Sequence, residues 1–111
     1  MDEMSKSLNK TNLVIQKQLD QAIEIKIKTE KALRKNIQLG KHKDTIRINI
    51  ASIVIQMGFI EHYRKALKKG HLSEPFNILK ETDKLRRFEQ ESRKKFHVPD
   101  SIPVIYKEEK K

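Results

Sequence analysis

The chain has 111 residues, of which 36% are hydrophobic and 36% are charged, and its formal net charge is +10. A chain of this length forms at most one domain, and its few apolar residues give only a thin core unless a partner or a second copy covers it. The positive charge favours binding to a polyanion, first nucleic acid and second an anionic membrane surface. A lysine-rich composition that only keeps the protein soluble is the simpler alternative.

The chain has no cysteine, which excludes disulfides, thiolate zinc sites and a cysteine nucleophile. Asp2 and Glu3 stand where a signal peptide would carry basic residues, and no apolar core follows them. The longest apolar run, residues 50–55, is too short to span a bilayer. We therefore expect a cytoplasmic protein without membrane insertion.

The first predicted helix runs from about residue 8 to residue 39. Its apolar residues can share one broad helical face, which Lys26, Thr29 and Glu30 interrupt. Lys and Glu on the other faces would keep a long exposed helix soluble, as in a coiled coil. The apolar face consists of Leu8, Ile15, Leu19, Ala22, Ile23, Ile27, Leu33 and Ile37.

The second predicted helix, from about residue 43 to residue 69, has the clearest pattern in the chain. Its apolar residues follow a heptad-type spacing, and Val54, Ile55 and Phe59 make the middle of the helix apolar nearly all round. Several neighbours or a second subunit must bury such a helix, so we expect a homodimer. The spaced residues are Ile46, Ile50, Ile53, Met57, Ile60 and Leu67.

Glycines and capping residues predict where these two helices begin and end. Gly40 and Gly70 each follow a helical pattern inside a basic stretch, where helices commonly end. Asp44 or Thr45 is expected at the start of the second helix, as a cap or as a charge that suits the helix dipole.

Two short stretches allow a different interpretation as strands. Residues 23–27 and 46–50 both alternate with a period of two and are rich in isoleucine. The second stretch, followed by a helix, would then resemble a ribbon-helix-helix DNA-binding protein. The helical patterns continue through both stretches without turn residues, which favours helices.

A third helix is predicted to start at Ser73, Glu74 and Pro75, which combine a capping residue, an acid and an early proline. It is expected to end near Lys95. Its apolar side would consist of Phe76, Ile78, Leu79, Leu85 and Phe88.

The last residues, 96–111, contain two prolines and a charged end, which predicts an extended or disordered C-terminal arm. Its apolar residues would dock on a partner or lie along the helices. The predicted fold class is therefore all-α, with one helical domain over residues 1–95. It consists of a long helical hairpin and a third helix packed on it, followed by the arm.

The sequence contains no recognisable catalytic or metal-binding pattern. Its four histidines are not paired at the spacing of helical metal ligands, and it has no Gly-rich phosphate loop or nucleophile elbow. Neighbouring acids such as Glu89 and Glu91 are interpreted as solvated charge. We expect no enzymatic activity, no metal and no cofactor. The histidines are His42, His62, His71 and His97.

The most concentrated positive charge lies between Lys26 and Arg47, where eight basic residues are opposed only by Glu30 and Asp44. A linear array at the end of one helix and the start of the next can follow a phosphate backbone. The alternative is the solvated face of a coiled coil. The predicted phosphate contacts are Lys31, Arg34, Lys35, Lys41, Lys43 and Arg47.

Two further basic clusters have simpler explanations. The cluster from residue 64 to residue 71 surrounds a helix C-terminus, where the helix dipole favours positive charge. The cluster from residue 84 to residue 95 is balanced by Asp83, Glu89 and Glu91. No aromatic residues interleave the basic ones, so contact with the backbone of double-stranded DNA is expected rather than base stacking on single strands.

Residues 43–59 resemble the TraD-type conjugal transfer proteins, small relaxosome accessory proteins related in style to MobC-like mobilisation proteins. Arg47 matches an arginine of that pattern, residues 50–54 its small-residue core and residues 57–59 its later Gly-aliphatic pair. The chain departs from the pattern in having Ala51 and Ser52 in place of glycines, and Ile46-Arg47 in place of a double arginine.

The resemblance implies a DNA-transfer accessory role beside a relaxase or coupling protein. The main hypothesis is therefore a small DNA-associated accessory protein. The alternative is a protein-interaction scaffold or chaperone-like helical module without nucleic-acid binding. In that case residues 102–106 and the middle helix would be the binding surfaces.

Overall fold

The computed structural model describes residues 3–71 and 74–107, with side chains from residue 12 onward. Three helices follow one another: α1 (Glu3–Gln38), α2 (Lys43–Lys69) and α3 (Thr82–Lys95). Over these residues there is no strand, so the predicted all-α class is confirmed. The strand interpretation of residues 23–27 and 46–50 is wrong, because both stretches lie inside helices.

The helices α1 and α2 form the predicted antiparallel hairpin. Gly40, at a φ of 64°, ends α1, and the Lys41 N–H donates to the Asn36 carbonyl at 2.9 Å. His42, not Asp44 or Thr45, caps α2, because its Nδ1 accepts the Asp44 N–H at 3.2 Å. Asp44 lies in the first turn of α2, where a negative charge suits the helix dipole.

The core consists of two apolar clusters along the hairpin. The larger lies near the α1–α2 connection and joins Leu33 of α1, the isoleucines of the predicted seam and Leu85 of α3. The smaller lies further from the connection and joins Leu19 and Ala22 to Ile60. The buried seam residues are Ile46, Ile50, Ile53 and Ile60.

Neighbours within the same chain bury the middle of α2. Ile50, Ile53 and Val54 are each 0% exposed, and among the large apolar residues of α2 Ile48 stands out as exposed. The reason for expecting a homodimer, a surplus of apolar surface on this helix, therefore does not hold. Within one chain Ile46, Ile50, Ile53 and Ile60 of the seam are buried, whereas Met57 and Leu67 are half-buried.

The third helix begins at Thr82, eight residues after Glu74, so its predicted start is wrong. Phe76 instead packs on α2, with its ring centroid 5.3 Å from that of Phe59. The Asn77 side chain then accepts the N–H groups of Leu79 and Lys80, at 3.0 and 3.3 Å, in a local turn. These contacts take the chain off a helical path despite the early proline.

The apolar core continues past the boundary predicted at residue 95. Phe96, Val98 and Ile102 are 6%, 9% and 3% exposed and belong to the larger cluster. Residues 96–107, here called the C-terminal segment, are irregular in backbone but lie along the helices. Of the two roles predicted for the apolar residues of the arm, packing on the helices is the one observed; residues 108–111 lie outside the described part.

Side chains of α3 hold this C-terminal segment. Glu89 is 1% exposed and accepts the N–H groups of Ile105 and Tyr106, at 3.0 and 2.8 Å. Arg86 donates to the Tyr106 carbonyl at 3.3 Å, and Arg93 donates to the Ile102 carbonyl. The interpretation of Glu89 as solvated charge is therefore wrong, because the carboxylate is a buried hydrogen-bond acceptor.

Candidate nucleic-acid interface

Three of the predicted phosphate contacts lie on the last turns of α1. Lys31, Arg34 and Lys35 are exposed, and their spacing of three and four residues places them on one helical face. Lys31 and Lys35 are one turn apart, about 6 Å along the axis. The α1 part of the linear array of basic residues expected from the sequence is therefore present at this end of the helix.

The other three lie on the connection and on the first turn of α2. Lys41 and Lys43 are exposed, and Arg47 is half-buried one turn after Lys43. Asn36 donates to the Asn49 side chain at 2.7 Å, which fixes the two helices beside each other at this end of the hairpin. All six residues thus belong to the hairpin end, and we call them the basic strip.

No side chain of the basic strip forms an ion pair with a carboxylate among the described residues. Glu30, the nearest acid in the α1 sequence, pairs instead with Lys26 at 3.3 Å and Lys95 at 3.4 Å. Asp44 lies 3.6 Å from His42. Positive charge on the strip is therefore available to an external anion.

Arg34 differs from the other residues of the basic strip in contacting an aromatic ring of the protein. Its guanidinium carbon lies 5.0 Å from the centroid of the Phe96 ring, and Lys95 Nζ lies 5.3 Å from the same centroid. Both cations are attracted by the ring face. Arg34 is therefore oriented by the protein more strictly than a free surface lysine, and it connects the strip to the start of the C-terminal segment.

The basic cluster of α3 is neutralised only in part, because Asp83 and Glu89 form ion pairs with it as predicted, whereas Glu91, Arg87 and Lys94 form none among the described residues. Arg86 pairs with Asp83 at 2.8 Å, and Arg93 lies 3.5 Å from Glu89. Lys84 bonds to Glu61 of α2 at 3.0 Å, a partner that the sequence did not indicate. This cluster serves the packing of α3 and is a poorer candidate for an anion site.

Sequence reasoning missed a groove between α1 and α3. It has a volume of about 640 Å³, and its floor is apolar while its rim is mostly basic. Glu61 lies on the rim; burial acts to raise its pKa, but hydrogen bonds and charges from Lys65 and Lys84 outweigh burial and hold the pKa below its usual value. The groove could not be read from the sequence, because it needs the relative positions of three helices.

By residue type the histidines of the described part are potential metal ligands, and His62 has a contact within the chain. His62 Nε2 lies 2.8 Å from the Glu74 carbonyl oxygen and secures the loop after α2. Among the residues whose placement is described, no three His, Asp or Glu side chains are grouped to hold a metal ion.

Comparisons with known proteins add no relative to this picture. A scan against models of protein families gives no match for the chain, and searches of curated proteins and of solved structures give none either. Neither α1, α2 nor α3, over its described residues, is both long and apolar enough to cross a bilayer. What defines the class is the fold itself: a three-helix all-α domain with a basic hairpin end.

Proposed function

We propose that the protein binds double-stranded DNA through the basic strip, by contacts to phosphates rather than to base edges. The observation that carries the proposal is six basic side chains at one end of the hairpin, none paired with a described carboxylate. Three of the six lie on the last turns of α1, and three lie on the connection and the start of α2, where Gly40 and the Asn36–Asn49 bond fix the backbone. Phosphate contacts of this kind give affinity without sequence reading.

The proposal includes an accessory role in conjugal DNA transfer or mobilisation in the cytoplasm, beside a relaxase or coupling protein. Its support is the resemblance of residues 43–59 to TraD-type proteins. Lys43 and Arg47 belong both to that stretch and to the basic strip. The glycine of the later Gly-aliphatic pair has a packing role here, because Gly58 admits the Phe76 ring against α2.

Charge reversal on the connection tests the strip. In Lys41→Glu with Lys43→Glu, the logarithmic salt dependence of duplex binding should fall by about two phosphate contacts, a slope change of roughly 2. The matched control is Lys17→Glu with Lys80→Glu, an equal change of charge at exposed positions away from the hairpin end. An unchanged slope in the first variant, or an equal loss in the control, contradicts the assignment.

A second candidate function is a protein-interaction module, and the groove between α1 and α3 favours it. Of residues 102–106, which this hypothesis makes a binding surface, Ile102 is 3% exposed and belongs to the core, whereas Val104 is 39% exposed. Deleting the segment would remove part of the core as well as the proposed surface. Substitutions in the groove, with duplex binding measured in parallel, therefore discriminate between the two functions better than a deletion.

A homodimer also remains a proposal, to be tested by measuring the mass of the protein in solution. Two copies would place two basic strips on one duplex and raise the apparent affinity by multivalency. A mass of one chain at the concentration used for DNA binding contradicts it.

A further inference from the structure

A groove on α2, between α1 and α3, is a surface that the proposed DNA contacts do not use. Both α1 and α3 pack on α2, and over the described residues α1 and α3 meet through side chains such as Lys95 and Glu30, 3.4 Å apart. The groove of about 640 Å³ lies over α2 between these two neighbours, and residues of all three helices line it.

The floor of the groove is apolar and comes from all three helices. Ile27 of α1 is 47% exposed and lines the groove, so its side chain is available to a ligand there. The floor residues are Ile23, Ile27, Met57, Ile60 and Phe88.

The rim carries more positive than negative charge. The acidic residue among the lining is Glu61, and the basic ones are Lys26, Arg64, Lys65 and Lys68. Glu61 is already engaged by Lys65 and by Lys84, both at 3.0 Å. Arg64 and Lys68 are exposed and have no carboxylate partner among the described residues, and they lie one helical turn apart.

We propose that this groove binds an acidic amphipathic helix of a partner protein. Apolar side chains of that helix would fill the floor, and carboxylates one turn apart would meet Arg64 and Lys68. A fourth helix in this position would complete a bundle around α2. The inference rests on geometry separate from the basic strip.

Charge complementarity selects this occupant. A second copy would bring another basic rim and a net charge of +10, so like charges would oppose each other. A nucleic acid would satisfy the rim but leave the apolar floor unfilled. A peptide with carboxylates beside an apolar stripe satisfies both.

The probe is a fluorescein-labelled synthetic helical peptide with leucines at every third or fourth position and flanking glutamates one turn apart. The control peptide keeps the leucines and replaces each glutamate with lysine. Fluorescence anisotropy gives Kd, and amide chemical-shift changes in the full chain locate the binding surface. Dodecanoate and a labelled DNA duplex are titrated in separate arms.

Three variants of the full chain complete the test. Arg64→Glu with Lys68→Glu removes the rim charge, and Ile27→Asp makes the floor polar at an exposed position. Lys17→Glu with Lys69→Glu is the control, with an equal change of charge at exposed positions off the groove. Circular dichroism verifies that each variant is folded.

The acidic peptide should bind the unmodified chain with a micromolar Kd. Its Kd should rise about tenfold or more in the rim and floor variants, and it should change by no more than about twofold in the control variant. Shift changes should map to the groove. The inference is overturned if the lysine peptide binds equally well, if the acidic peptide shows no binding below about 1 mM, or if dodecanoate binds and the peptide does not. Duplex binding should be equal in the rim variant and its control, so failure here is separable from failure of the DNA proposal.

Discussion

Replacing Glu89 with alanine should release the C-terminal segment from α3. The carboxylate is 1% exposed and accepts two backbone N–H groups, from Ile105 at 3.0 Å and Tyr106 at 2.8 Å. A hydrogen bond to a charged acceptor contributes about 1.5–3 kcal/mol. Loss of both should lower the free energy of unfolding by about 3–5 kcal/mol, a large fraction of the roughly 5–15 kcal/mol of a small domain.

Two comparisons isolate the cause of this effect. Glu91→Ala makes the same chemical change at an exposed position of α3 and should alter stability by no more than about 0.5 kcal/mol. Glu89→Gln should have an intermediate effect of about 1–3 kcal/mol, because the amide oxygen still accepts one N–H while its NH₂ group faces the other.

Urea denaturation measures each free energy of unfolding, and amide hydrogen exchange reports on Ile105 and Tyr106 directly. In a chain that ends at Pro103 the two donors are missing, so Glu89→Ala should then cost less than about 1 kcal/mol. If the substitution costs the same in the full and shortened chains, the two N–H groups are not what the carboxylate stabilises, and the reasoning is refuted.

Three further predictions concern packing and titration. Gly58→Ala should destabilise the protein, because the new Cβ would lie 2.5 Å from the Phe76 ring, whereas in a Phe76→Ala background, where the contact with Leu85 Cδ2 at 3.3 Å remains, urea denaturation should show a smaller loss; equal effects in both backgrounds contradict this. Burial and then the charge of a nearby carboxylate raise the pKa of Tyr106, so the folded state keeps the phenol proton longer than the unfolded state. Stability should therefore fall as pH rises above about 10, and Tyr106→Phe should flatten that fall in a series of Tm measurements. Leu33→Ala, at 0% exposure, should cost about 2–5 kcal/mol, whereas Leu79→Ala, at 87% exposure, should change Tm little.

The parts of the fold that the sequence predicted are those controlled by local pattern. The spacing of Ile46, Ile50 and Ile53 defines the buried face of α2, and Gly70 ends it at a φ of 81°. Neither feature depends on distant parts of the chain. For the same reason the basic strip was predictable as a run of charge at the hairpin end.

The parts that the sequence mispredicted depend on tertiary contacts. The residues around Pro75 have the local composition of a helix start, but Phe76 packs on α2 and prevents it. Glu89 and Arg93 are four residues apart and resemble a solvated pair, although the carboxylate is buried under the C-terminal segment. A signal was present in the spacing of Arg86, Glu89 and Arg93, which share one face of α3.

The position of Arg34 over Phe96 thermodynamically links anion binding at the basic strip to the anchoring of the C-terminal segment. An anion that draws the guanidinium away from the ring weakens the contact that anchors residues 96–107 beside α1. Linkage is reciprocal, so whatever tightens that anchor also opposes the anion by the same free energy. Phe96 carries no charge, but its substitution would consequently change the affinity of a polyanion for Arg34.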